Sequence, residues 1–275
     1  MLDSLFLALE LQREPEFLPL PSTPAPLFVQ APEQLAPVVE AKAALAVDLN
    51  SSQILFEKNI DEPLPIASLT KLMTALIVRA NFTLDQIISI NPTATQAPPA
   101  KIWLHAYEKL TVRDLLLGLL IRSANDVATA FAAELGQQYF VELMNAKKNQ
   151  LGLSRTHFSN PAGFDSAENF STAREVALLA QAFWRDDFLQ EIVGKSAATI
   201  YSIDGRFRHD FFSTNKLFDS FLDIQGLKTG STEDAGNCFA GVARLSNGHE
   251  ILALVLDSPD RFQEVKNILA FFAPK

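Results

Sequence analysis

The order of residue patterns along the chain predicts an α+β protein with strands and helices in separate blocks. Three observations carry this. A hairpin pattern occupies residues 43–57, helical periodicity recurs between 68 and 183, and strand-like runs closed by one helical segment fill 198–272. Strands and helices do not alternate as βαβ units, so the pattern does not fit a parallel, doubly wound sheet.

The elements follow in order. Ala43–Leu49 and Gln53–Glu57 are apolar-rich runs around Asn50-Ser51-Ser52, a hairpin in which Asn50 is the residue best suited to a left-handed turn. From Ser68, the apolar residues Leu69, Leu72, Met73, Leu76, Ile77 and Ala80 repeat as one buried stripe of a helix. Thr111 with Asp114 opens a second helix whose apolar face is Leu115, Leu116, Leu119 and Leu120. Helices near 126–135 and 138–151 are closed by Gly136 and Gly152. Thr172 and Glu175 form a capping box that opens a helix through Phe183. Asp204-Gly205 is a hairpin signal between Ala198–Ile203 and Arg206–Asp210. Runs at 223–228, 236–243 and 250–256 read as strands, the last two joined across Asn247-Gly248, and 260–272 reads as the final helix. There is no internal repeat.

Composition bounds the function. Hydrophobic residues make up 48% and charged ones 20% of 275 residues, which suits one large globular unit with a substantial core. Net charge is −9 with no basic run, so nucleic acid is not an expected partner. Residues 1–40 hold six acids against Arg13 and seven of the 15 prolines, without a glycine. That composition predicts an extended acidic spacer over 1–41 and a folded domain over 42–275. The single cysteine, Cys238, lies in an apolar run and reads as a buried structural thiol. The four histidines have no metal-ligand spacing, so no metal site is expected. No run approaches the length of a transmembrane helix. Leu5–Leu9, preceded by Asp3, is too short and wrongly charged for a signal peptide.

Three short motifs carry the chemistry: Ser68-Leu69-Thr70-Lys71, Ser123-Ala124-Asn125 and Lys228-Thr229-Gly230. Each alone has a plain reading, as a helix-opening serine with a solvated lysine, an ordinary turn, or a strand end. In this order they form the S-x-x-K, S-x-N, K-T-G set of serine enzymes that acylate on penicillin or D-Ala-D-Ala peptides. A serine hydroxyl needs a base to become a nucleophile, and residues three apart share a helix face, so Lys71 reaches Ser68. A buried lysine near a second cation, here Lys228, is pushed toward the neutral form that accepts a proton. Ser123 is placed to relay that proton, and Asn125 to hold a substrate amide. Gly230 lets a substrate backbone lie on the strand edge, while Lys228 and Thr229 offer a charge and a hydroxyl to a terminal carboxylate.

The chain resembles the serine-type D-alanyl-D-alanine carboxypeptidases, the low-molecular-mass penicillin-binding proteins, over roughly residues 42–272. Ile66 to Ala75 is similar to that family's nucleophile segment. His157 to Asp165, Ser213 to Leu217 and Gly226 to Thr232 match in kind and order. The resemblance implies a β-lactamase/transpeptidase-like fold, an antiparallel sheet flanked by helices with a helical subdomain. It implies an oxyanion hole from the backbone amides of Ser68 and Ser231, and an Arg261 that helps hold the substrate carboxylate. The bland reading of Arg261 is a solvated residue in the first helical turn. It further implies peptidoglycan stem peptides as substrate, β-lactams as acylating inhibitors, and an extracytoplasmic location. Membrane association would then need an anchor that this sequence does not display. The stretch 95–107 departs from the family in lacking its Gly and Pro-Gly.

The resemblance favours a serine carboxypeptidase that hydrolyses the terminal D-Ala of stem peptides through an acyl-enzyme; the alternatives are an endopeptidase of cross-linked peptidoglycan and a catalytically silent muropeptide-binding protein. A β-lactamase would need a Glu placed to activate the deacylating water. Glu134, Glu142, Glu168, Glu175 and Glu191 lie between the second and third motifs, none in that context.

Overall fold

A computed structural model describes residues 37–273. The strands are β1 (Ala43–Asp48), β2 (Ile54–Lys58), β3 (Leu64–Pro65), β4 (Ile87–Ser89), β5 (Lys109–Thr111), β6 (Phe170–Ser171), β7 (Ala197–Tyr201), β8 (Arg208–Phe212), β9 (Asp223–Thr232), β10 (Gly236–Arg244) and β11 (Glu250–Ser258). The helices are α1 (Lys71–Asn81), α2 (Val112–Ile121), α3 (Asn125–Leu135), α4 (Gln137–Gln150), α5 (Ala173–Trp184), α6 (Asp187–Val193) and α7 (Arg261–Phe272).

Five strands form one antiparallel sheet in the order β2-β1-β11-β10-β9, so the first and last of the described strands pair at its centre. Both faces are covered, and alternation along the strands divides them. Leu45, Val47, Leu252 and Leu254 face the core shared with α1 to α6. Ala44, Ala46, Ile251 and Ala253 face the core under α7, with Val265, Ile268 and Leu269. This is an α+β fold in which α1 runs through the middle of the larger core, and it meets the expected sheet-and-helix layout. Helix α1 is buried well beyond its predicted stripe, from Lys71 through Ala75, although Ala80 at its end is exposed.

The details differ instructively. Val39 and Ala41 are buried, and the backbone N–H groups of Glu40 and Ala41 donate to Glu264 of α7. The packed unit therefore reaches at least three residues ahead of Lys42; of the predicted spacer over 1–41, residues 1–36 lie outside the described residues. In the first hairpin Ser52, with φ 62°, takes the left-handed position expected of Asn50, whose side chain instead accepts from Glu250 N–H. Strands β7 and β8 pair Tyr201 with Arg208, giving a longer connection than a two-residue turn. Ser202 and Asp204 build it, the Ser202 hydroxyl bonding Asp204 and accepting from Phe207 N–H. Thr172 caps α5 as expected, but Glu175 does not return the bond; its carboxylate turns to Arg155 N–H and the Thr156 hydroxyl. Cys238 is buried on β10, and burial pushes its thiol up to about 11.

Candidate active site

Ser68 lies in a short 3-10 turn, Ala67–Thr70, which runs directly into α1. The turn begins on a strained residue: Ala67 has φ 47°, a left-handed conformation costly without glycine. Two glycines make room for it. A Cβ on Gly163, itself at φ 82°, would lie 2.0 Å from the Ala67 carbonyl oxygen. A Cβ on Gly230 would lie 2.9 Å from the Ser68 nitrogen and 3.0 Å from Ala67 Cβ. Gly230 is thus needed for β9 to approach the serine turn itself, a closer constraint than room for a substrate.

Lys71 is fully buried, and its amine is surrounded by acceptors. Nζ donates to Ser68 Oγ at 2.9 Å, Asn125 Oδ1 at 2.8 Å and the Ala162 carbonyl at 2.6 Å. Burial lowers its pKa from 10.5 to about 7, with the Asp126 carboxylate pulling the other way. Lys228 is also buried, its Nζ on the Thr229 carbonyl at 2.9 Å. Burial first, then Lys71, then Arg261 hold its pKa well below the usual lysine range. The expected push of one cation on another is therefore felt at Lys228, whereas desolvation is what neutralises Lys71.

Ser123 and Asn125 arrive on the turn between α2 and α3. Ser123 is buried with φ 62°, a second strained non-glycine and this one a motif residue. Ala124 N–H donates to the Gly118 carbonyl and Asn125 N–H to the Ala100 carbonyl, locking the turn. Asn125 Nδ2 bonds the Pro99 carbonyl while its oxygen takes Lys71. Ser68, Lys71 and Asn125 are thus one bonded trio, with Ser123 beside it and outside it.

The other wall is β9, an edge strand of the central sheet. The Thr229 hydroxyl bonds that of Thr214 at 2.5 Å. Ser231 is exposed, its hydroxyl on Asn237 Oδ1. Arg261 opens α7, yet its Nη1 donates to the Gly230 carbonyl, which brings it onto the Lys-Thr-Gly strand rather than into solvent.

Three contributors were not read from the sequence. The Ala162 carbonyl is a backbone group and leaves no motif, although Asn160 and Gly163 mark its loop. Asn160 Oδ1 accepts from the N–H of Ala162, Gly163 and Phe164 and so aims that carbonyl. Asp126 is fully buried and accepts from Ile102, Leu104 and Val127 N–H. The glycine-poor 95–107 stretch bends through Ala100, Trp103 and Tyr107, with φ 72°, 64° and 62°. Side-chain anchors do here what glycine does elsewhere: Asp126 on one side, and buried His209 with Nδ1 on the Ile102 carbonyl and Nε2 on Glu108. Of the acids weighed for activating a water, none bonds Ser68 or Lys71 among the described residues.

A serine on a helix-opening turn, bonded to a buried lysine one turn on and facing a Lys-Thr-Gly edge strand, defines the class of acylating serine enzymes. Within it, the chain belongs to the D-alanyl-D-alanine carboxypeptidase family, whose sequence profile matches residues 29–260. The D-alanyl-D-alanine carboxypeptidase DacF of Bacillus subtilis is 29% identical over 216 residues, covering 76% of this chain and 55% of that protein. A D-alanyl-D-alanine endopeptidase of Pseudomonas aeruginosa is 31% identical over 260 residues, covering 93% of this chain and 81% of its own length. The crystal structure of the Streptomyces K15 DD-transpeptidase superposes with a TM-score of 0.81 at 27% identity, covering 86% of this chain and 98% of that one. The chain spans only 52% to 62% of the length of several curated carboxypeptidase relatives.

Proposed function

We propose that the chain is a serine D-Ala-D-Ala carboxypeptidase that removes the terminal D-Ala of peptidoglycan stem peptides through an acyl-enzyme. The observation that carries this is the set of three acceptors around Lys71 Nζ. A neutral amine has two protons and one lone pair. With its protons on Asn125 Oδ1 and the Ala162 carbonyl, the lone pair points at Ser68 Oγ. Lys71 then takes the hydroxyl proton as Oγ attacks the carbonyl carbon before the terminal D-Ala. The oxyanion is stabilised by the Ser68 and Ser231 backbone amides. Ser123, with Lys228 behind it, passes the proton to the departing nitrogen. The C–N bond breaks, D-Ala leaves, and water hydrolyses the ester to free Ser68.

The free edge of β9 suits an extended peptide added as a further strand. Asn125 and Thr229 position that peptide, and Thr229, Lys228 and Arg261 gather positive charge and a hydroxyl for its terminal carboxylate. β-Lactams would acylate the same serine. The chemistry uses no cofactor. A peptidoglycan substrate places the working site outside the cytoplasmic membrane. No described helix is long and apolar enough to cross one, so membrane attachment would come from an anchor outside the described residues.

Release of free D-Ala from a pentapeptide ending in D-Ala-D-Ala tests the reading. The high coverage of the Pseudomonas endopeptidase favours one second reading, cleavage of cross-linked peptides. If cross-linked dimers are cut and the free pentapeptide is not, that reading replaces the first. If neither is cut, the silent muropeptide-binding protein does.

A further inference from the structure

We propose that Asp126 is a positioning residue of this reaction. It holds the wall opposite β9 in register with Lys71, through its neighbour Asn125 that bonds the Lys71 amine, and its charge sets how basic that amine is. The inference rests on the reading of Lys71 as the base.

The geometry comes first. Asp126 follows Asn125 in the first turn of α3 and is fully buried. Oδ1 accepts from Ile102 N–H at 3.3 Å and Val127 N–H at 3.0 Å, and Oδ2 from Leu104 N–H at 3.1 Å. Among the described residues no cationic side chain bonds the carboxylate, and backbone N–H groups hold it. Adjacent residues thus clamp one segment at two points. Asn125 ties down Pro99 and Ala100, and Asp126 ties down Ile102 and Leu104. Between the clamps the Trp103 side chain stays 70% exposed at φ 64°, while its backbone N–H also acts on the Asp126 carboxylate. Without Asp126 the segment that orients the Asn125 amide loses half its anchorage.

The charge comes second. The site gathers the buried lysines 71 and 228 with Arg261 behind them. Asp126 is the carboxylate whose field acts on Lys71. Around Asp126 itself lie Lys71 of α1 and, across the 102–108 segment, the His209–Glu108 pair, whose imidazole also feels the Asp126 charge. An amine surrounded only by cations and desolvation would shed its proton readily and be a feeble base. Burial raises the Asp126 pKa against the pull of the backbone N–H groups around it; in its ionised form it keeps the amine basic enough to take the Ser68 proton near neutral pH.

The test is the rate of penicillin acylation between pH 5 and 9 for wild type, Asp126→Asn and Asp126→Ser, with thermal unfolding as the check on folding. Loss of the charge moves the acid limb to lower pH by about one unit, the order expected of a single nearby charge. A purely structural role would lower the rate at every pH and leave the limb in place, which would overturn the proposal. Failure of both variants to fold would also overturn it, making Asp126 a residue of the fold. If wild type itself takes no label, it is the reading of Ser68 and Lys71 that fails, and this inference with it.

Discussion

The pH dependence of acylation is the sharpest consequence of burying Lys71. Its pKa falls from 10.5 to about 7 because the ammonium has no water around it. That difference amounts to roughly 5 kcal/mol of preference for the neutral amine. For an exposed lysine, only roughly one molecule in three thousand would carry a neutral base at pH 7. Here about half do. Stopped-flow acylation by a chromogenic cephalosporin should therefore rise about tenfold per unit from pH 5 to near 7 and level off above it. Lys71→Ala should lower the plateau by about a hundredfold or more and abolish the limb. Thermal unfolding of that variant is the control, since Asn125 Oδ1 and the Ala162 carbonyl lose a donor. Stability carries the same signature. Between about 7 and 10.5 the unfolded chain binds the Lys71 proton and the folded one does not, so this residue makes stability rise with pH across that window. A limb centred near 10, or a rate flat from pH 5 to 9, would refute the assignment of Lys71 as a buried neutral base.

Three further outcomes follow from the same geometry. Arg261→Ala should raise KM for peptides with a free terminal carboxylate by about tenfold or more, the loss of a charged hydrogen bond worth about 1.5–3 kcal/mol. Unchanged kinetics would return Arg261 to a solvated helix residue. Gly163→Ala forces a side chain onto the Ala67 carbonyl at positive φ and should cost at least about 2 kcal/mol, lowering the melting temperature by about 4–8 °C; an unaltered melt would mean that this contact does not constrain the serine turn. Removing residues 1–36 should leave the melt in place, because the packed residues Val39 and Ala41 remain; a loss of several degrees would show that the proposed spacer packs on the domain.

Much of the candidate site was legible because side chains that bond one another must sit at fixed spacings. Ser68 and Lys71 one helical turn apart, and the caps Thr111 and Thr172, read directly from the residues. The pairing of β1 with β11 did not, because it joins the ends of the domain and both faces of these strands are apolar. Strands of two or three residues, β3 to β6, show no periodicity to detect, and α6 has only seven residues. Asp126 looks like any acid in the first turn of a helix until its burial is known. The Ala162 carbonyl is invisible to any side-chain pattern, yet it is one of three atoms that bond the Lys71 amine.

The central claim is that Ser68 is the nucleophile, and covalent labelling tests it most directly. Intact-protein mass spectrometry after incubation with penicillin, followed by peptide mapping, should show one adduct, on Ser68. Ser68→Ala should fold normally and take none, since among the described residues its hydroxyl bonds only Lys71 and the Ala162 carbonyl. A folded wild type that gains no mass under conditions that label a known penicillin-binding protein, or an adduct that persists in Ser68→Ala, would contradict the account.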